Sequence, residues 1–176
     1  IIFTHSHVDH FGGIEGVLPA DPAAAAKIPI VAPRGFMEEA TSENVLAGVA
    51  MGRRAAFMYG LPLPHSPTGH VDTGLGKAPA HEGTVSIREP TILVDRTPQD
   101  IELDGVKFVF QYTPESEAPA ELAFYMPDHK AWCGAEIVSH TLHNLYTLRG
   151  AKVRDARKWS GYIDEAATSF DDMEVV

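Results

Sequence analysis

Thr4-His5-Ser6-His7-Val8-Asp9-His10 sets three histidines and an aspartate in one short stretch, directly after the apolar run Ile1-Ile2-Phe3. A β-branched and aromatic run broken at once by polar residues reads as the end of a buried strand. A tight turn after it can aim His5 and His7 at one cation while Asp9 and His10 reach a second. Imidazole with carboxylate is a ligand set that suits zinc or iron, and two ions about 3.5–4 Å apart form a hydrolytic device. A single histidine on a surface turn would carry no such meaning. Four ligand-type side chains at H-x-H-x-D-H spacing do, and we read the cluster as metal-binding.

Outward from this turn the chain alternates between strand-like and helix-like patterns. Phe11 to Leu18 predicts a short helix closed by Pro19, and Lys27 to Ala32 a second buried strand. From Pro33 to Tyr59 apolar residues recur at helical spacing, predicting one long helix or two. Residues 61–90 are rich in proline and glycine and read as a long loop, with His65, His70 and His81 as loop histidines. Thr91–Val94, Asp100–Leu103 and Val106–Tyr112 follow as strands, the last two a hairpin about Asp104-Gly105. Leu122–Met126 and Lys130–Cys133 form another, turning at Pro127-Asp128 and leaving His129 at the turn. From His140 the pattern returns to helix through Leu142, Leu145 and Leu148 to Val153, Ala156, Trp159, Ile163 and Ala166.

The chain has 176 residues, 44% hydrophobic and 22% charged, which fits one globular domain. With 14 Lys and Arg against 24 Asp and Glu, the net charge of −10 argues against a nucleic-acid partner, because phosphate binding needs a basic face. An anionic substrate would need local cations, either metal ions or a placed arginine. The one cysteine, Cys133, excludes an internal disulfide and a multi-cysteine zinc knuckle. No apolar run approaches the roughly 20 residues of a membrane span. Since Ile1-Ile2-Phe3 has no preceding strand to pair with, the chain is expected to be a fragment lacking its N-terminal strands.

The H-x-H-x-D-H loop after a strand resembles the metallo-β-lactamase superfamily, an αββα sandwich in the α/β class. Thr113-Pro114-Glu115-Ser116-Glu117-Ala118-Pro119-Ala120-Glu121, with Ala135-Glu136 following Glu117 by 19 residues, is similar to the alkyl sulfatases within it. The likeness continues through Ser42-Glu43-Asn44-Val45-Leu46-Ala47-Gly48, Met58-Tyr59-Gly60-Leu61-Pro62, His140 to Ala151 and Val153-Arg154-Asp155. It implies that His5, His7 and Glu117 hold one Zn2+, that Asp9 and His10 hold the second, and that Glu136 bridges both. The reaction implied is hydrolysis of alkyl sulfate esters such as dodecyl sulfate by a metal-activated hydroxide, with Asp9 and Glu136 in catalytic positions. Hydrolysis of a lactone, thioester or phosphoester and a non-catalytic metal-binding fragment are the alternatives.

The resemblance also implies one more histidine for the second metal. None follows His143, so that site is expected to be incomplete here and the isolated fragment inactive. Glu115 adds a charge beside Glu117 and is expected to face solvent; pointed inward, it would compete as a ligand. Arg149 is the first candidate for the sulfate group, because a planar guanidinium matches two of its oxygens, with Asn144 and Tyr146 behind it. Phe36, Met37, Met51, Phe57, Met58 and Tyr59 could line a channel for the alkyl tail. Residues 1–150 are taken as the catalytic domain and 151–176 as the start of a helical dimerisation domain of a homodimer. Trp159 and Ile163 are then expected to be exposed, and a periplasmic or secreted location is implied.

Overall fold

The computed structural model describes residues 1–72, 83–139, 144–148 and 150–176. Along these residues run α1 (Pro22–Ala25), β1 (Val31–Pro33), α2 (Phe36–Thr41), α3 (Gly48–Met58), β2 (Ile92–Val94), β3 (Gln99–Leu103), β4 (Val106–Tyr112), β5 (Leu122–Met126), β6 (Ala131–Cys133) and α4 (Ala156–Ser169). β1 pairs in parallel with β2, Val31 opposite Ile92, while β3 to β6 form an antiparallel meander. The opening residues extend the first sheet: Val31 N donates to Ile1 O at 2.9 Å and Phe3 N to Val31 O at 2.8 Å.

Side chains alternate between opposite faces of a strand, and that alternation builds the layers. Val31 and Val94 from the first sheet meet Phe110 and Leu122 from the second in one buried cluster. The neighbours of Val31, Ile30 and Ala32, point the other way and pack with Phe3, Phe11, Phe36 and Ala40, which brings α2 onto the outer face. On the far side Ala123, Tyr125 and Trp132 pack against Ala166 and Phe170 of the α4 region, with Val109, Trp159 and Ile163 beside them. The order is helix, sheet, sheet, helix, as the sequence led us to expect.

Several boundaries differ from the sequence reading. The predicted helix at Phe11–Leu18 contracts to a 3-10 turn, Ile14–Gly16, and the second strand shifts to Val31–Pro33. Of the one long helix or two expected over 33–59, the structure has two, because Ser42–Leu46 forms a π turn between α2 and α3. Residues 144–148 and 150–155 are not helical; α4 starts at Ala156, where the Asp155 carboxylate accepts from Arg157 N and Lys158 N at 2.9 and 3.0 Å. Leu145 and Leu148 are correspondingly exposed. Trp159 and Ile163 are not the exposed residues expected of them: both are half-buried against the second sheet, and Trp159 Nε1 donates to Ile137 O at 2.8 Å. Among the described residues, no helix is long and apolar enough to cross a membrane.

The two sheets are stitched where the site will form. His5 and Glu121 form an antiparallel bridge, and Leu122 N donates to Thr4 O at 2.8 Å. After β6 the chain turns at Gly134, where a Cβ would lie 2.7 Å from the Trp132 ring. That ring is buried and walled in by its cluster. Gly134→Ala should therefore lower stability by about 1–3 kcal/mol through overpacking, read as a reduced denaturant midpoint; an unchanged midpoint would show that the turn can yield.

Candidate metal centre

Three separate pieces of chain meet at the edge of the two sheets. The histidine turn leaves the first sheet, the 113–121 loop connects β4 to β5, and the 134–137 turn follows β6. They bring together His5, His7, Glu117 and Glu136, with one ligand atom from each lying within 4.8 Å of all the others. Asp9, His10 and Glu136 form a second such group. Glu136 divides its oxygens between the two: Oε2 lies 3.3 Å from His5 Nε2 and 3.9 Å from His7 Nδ1, whereas Oε1 lies 3.6 Å from His10 Nε2. A carboxylate placed in this way can bridge two cations.

The electrostatics fit that use. Burial pushes the His5 imidazole down, against a Glu136 contact that raises it. Burial opposes protonation of His7 too, but hydrogen bonds with Glu117 and Glu136 and the nearby Glu43 charge carry it to about 9. His10 is also raised, chiefly by Glu136. Burial alone would raise Glu117, yet its bond to His7 and the charges of His7 and Arg154 hold it below the usual carboxylate range. Contacts with His10, His5 and His7 hold Glu136 far below that range.

A cation has a place among these groups. Among the described residues, neither His5 Nε2 nor Glu117 Oε2, both buried and 3.6 Å apart, has a hydrogen bond of good geometry, although Oε2 lies 3.0 Å from His7 Nδ1. Each such orphan costs about 1–3 kcal/mol, and a shared metal ion would satisfy both. Two imidazoles and two carboxylates are donors that zinc accepts.

Two residues without an assigned role in the sequence reading complete the surroundings. Arg154, with its side chain 8% exposed, sets Nη2 2.8 Å from Glu117 Oε1 and 3.4 Å from His7 Nε2, while Nη1 donates to Asn144 O at 2.9 Å. Glu43, buried in the π turn, places its carboxylate 3.6 Å from His7 Nε2. His7 thus has Nδ1 toward the ligand cluster and Nε2 toward an outer carboxylate and a guanidinium, an arrangement that fixes a ligating ring. Arg154 stands immediately before the Asp155 N-cap, so it lies off the helix; in the sequence it figured only in the Val153-Arg154-Asp155 likeness, without a role.

The remaining candidates fall in different places. Asn144 lines the cleft beside the cluster, whereas Tyr146 is exposed and Arg149 lies outside the described residues, as do His81, His140 and His143. Glu115 faces solvent in an ion pair with Lys158. Phe36 belongs to the core rather than to a channel, and Phe57 is almost fully exposed; Met51, Met58 and Tyr59 do line the cleft. His65 and His70 face each other with their Nδ1 atoms 3.4 Å apart, away from the cluster, and His129 sits in the turn after β5.

The chain belongs to the metallo-beta-lactamase superfamily, whose sequence profile matches residues 1–168. Its relatives are more specific. It is 47% identical over 170 residues to the alkyl/aryl-sulfatase of Saccharomyces cerevisiae, covering 97% of this chain and 26% of that protein. It is 47% identical over 177 residues to a linear primary-alkylsulfatase of Pseudomonas sp., again covering 26% of the relative. A stereoselective inverting sec-alkylsulfatase from Pseudomonas sp. superposes with a TM-score of 0.90 at 40% identity, over 99% of this chain and 28% of that one. The chain therefore spans about a quarter of the length of these relatives.

Ligation requires neutral imidazole. Since His7 rises from 6.5 to about 9 in the metal-free fold, its proton stabilises that fold fully below pH 6.5 and the benefit is lost as pH rises through 9. A metal ion must displace this proton. Metal uptake at pH 7 should release about one proton at His7, and affinity should climb toward pH 9. Calorimetry in buffers of different ionisation enthalpy measures the release, and an enthalpy independent of buffer would contradict it.

Proposed function

We propose that this chain carries the metal centre of an alkyl sulfatase, which hydrolyses alkyl sulfate esters to an alcohol and inorganic sulfate. The observation that carries this reading is the content of one cleft of about 310 Å³. It is lined by His7, Asp9, Glu117 and Glu136 from the ligand cluster, by Arg154 and Asn144, and by Met51, Met58 and Tyr59. Cation ligands, an anion-binding guanidinium and apolar side chains thus face one space. A sulfate ester with an alkyl tail needs all three. The sulfatase names of its relatives support the same substrate class.

His5, His7 and Glu117 would hold one zinc ion, Asp9 and His10 the other, and Glu136 both. Zinc held there supplies Lewis acidity, which makes water a competent nucleophile near neutral pH. The chain's own side chains do the rest. Arg154 is pinned at Glu117 Oε1 and at the Asn144 carbonyl, so its planar fork is oriented before substrate arrives, which limits the entropy lost on binding a sulfate. Asp9, half-exposed at the cleft and 3.5 Å from His10, is placed to take up a proton from the attacking water. Met51 and Met58 offer flexible apolar contact to the tail.

Release of inorganic sulfate from dodecyl sulfate by the intact, zinc-loaded protein tests the reading, with a lactone, a thioester and a phosphoester offered in parallel. Sulfate release should dominate and stop on chelation. Arg154→Ala should lower kcat/KM for the sulfate ester about 10- to 150-fold, the loss expected of a hydrogen bond to a charged group. Preferential cleavage of any of the other three esters would sink the proposal.

A further inference from the structure

Glu121 is the most completely buried carboxyl group near the centre, with no exposed surface, and it contributes no atom to either ligand group. One of its oxygens, Oε2, accepts from Glu117 N at 2.8 Å, Ala118 N at 2.8 Å and Ser116 Oγ at 2.7 Å. Its backbone belongs to the bridge with His5, and its carbonyl accepts from Thr113 N at 3.0 Å. One residue therefore gathers the N–H groups of the loop that displays Glu117 and ties that loop to the histidine turn.

The loop needs such an acceptor. It holds Pro114 and Pro119, its residue Glu115 sits at φ 63°, and it joins β4 to β5 with no regular ladder of its own. Buried N–H groups without a partner are costly. If Oε2 were withdrawn, the amides of Glu117 and Ala118 would have to turn toward another acceptor, and the Glu117 carboxylate would turn with them.

We propose that Glu121 is the positioning residue for Glu117, holding that carboxylate at the histidine pair by accepting the N–H groups of residues 117 and 118. The proposal rests on the metal-centre reading and adds to it a residue outside the ligand set. What matters is an acceptor oxygen at the right reach, not negative charge. Glutamine keeps an oxygen at the same distance, and the other oxygen, Oε1, has no hydrogen bond to lose. Aspartate keeps the charge but is one methylene too short.

Cobalt(II) titration of the intact protein, followed by its visible ligand-field absorption, together with the melting temperature of each metal-free variant, is the test. Glu121→Gln should bind cobalt nearly as well as the parent, whereas Glu121→Asp should bind it about tenfold or more weakly, the range typical of residues supporting a ligand. In the Glu117→Ala background Glu121→Asp should cost no further affinity, since a residue acting through Glu117 has nothing left to position. The opposite order, with Asp retaining and Gln losing affinity, would establish a charge effect and overturn the proposal. A further loss in the Glu117→Ala background would overturn it too. If Glu117→Ala itself leaves cobalt binding unchanged, the metal-centre reading fails first and this inference with it. Should Glu121→Asp not fold, Ser116→Ala removes one donor from the same oxygen, and unaltered cobalt affinity in both Ser116→Ala and a folded Glu121→Ala would equally reject the role.

Discussion

Burying ionisable side chains away from water, with fewer partners than they have atoms to satisfy, is the constraint on which this molecule turns. His5 and Glu117 sit at 0% and 5% exposure, each with an atom that finds no hydrogen bond. Buried polar groups persist only where something compensates their desolvation. The compensation here is partly internal, through His7 with Glu117 at 3.0 Å and Arg154 with Glu117 at 2.8 Å. The atoms left short of partners, His5 Nε2 and Glu117 Oε2, lie 3.6 Å apart, where one cation could satisfy both. Everything around the cluster serves to keep these groups from relaxing into ordinary ion pairs or out to solvent.

The two glutamates reach the cluster by unlike routes. Glu117 is held by acceptors within its own loop and by α4, since Tyr162 Oη donates to Pro114 O at 3.0 Å and Asp155 N to Glu115 O at 2.9 Å. Glu136 stands on a turn shaped by Gly134 against Trp132 and by Ala135 in the left-handed region at φ 50°, with Trp159 gripping the following carbonyl. Glu115 and Ala135, both left-handed and neither glycine, flank the two ligand positions. Backbone in that region costs energy and survives where the surroundings over-determine it. A single helix, α4, thereby braces both carboxylate-bearing turns while its apolar side covers the second sheet, which is why Trp159 and Ile163 are withdrawn from solvent.

Local chemistry was legible in the sequence and long-range geometry was not. The histidine turn could be read because all four side chains lie within six residues, and the strands because short β-branched and aromatic runs end at turn residues such as Asp104-Gly105 and Pro127-Asp128. Glu117 and Glu136 were found through strand ends and family likeness. Arg154, Glu43 and Glu121 were quoted within motifs without a role, since what each does depends on a partner brought close by folding; Arg154 and His7 are 147 positions apart. The apolar spacing at Leu145 and Leu148 imitated a helix, but the Asp155 cap fixes where the helix begins. Phe36 likewise could not be assigned to core or channel by spacing alone, and its stacking on Phe3 at 5.1 Å places it in the core.

The charge of the cleft bears on how so acidic a chain could suit the anionic substrate proposed for it. With a net charge of −10 the whole molecule repels sulfate esters weakly and at long range, and salt screens that repulsion over about 8–10 Å. Inside the cleft the balance is local: Asp9, Glu117 and Glu136 face Arg54 and Arg154. Without metal ions these charges, together with the protonated His7, roughly cancel, so an incoming anion meets no strong net attraction. Divalent ions held as proposed would add positive charge, less the His7 proton they displace, and the same carboxylates would then hold the ions instead of repelling an anion. Arg154 would link the two functions, because the guanidinium that pairs with Glu117 also lines the cleft a sulfate would fill. On the proposed reading, metal loading and anion binding would be coupled through this one side chain, and the acidity of the chain as a whole would be no obstacle to either.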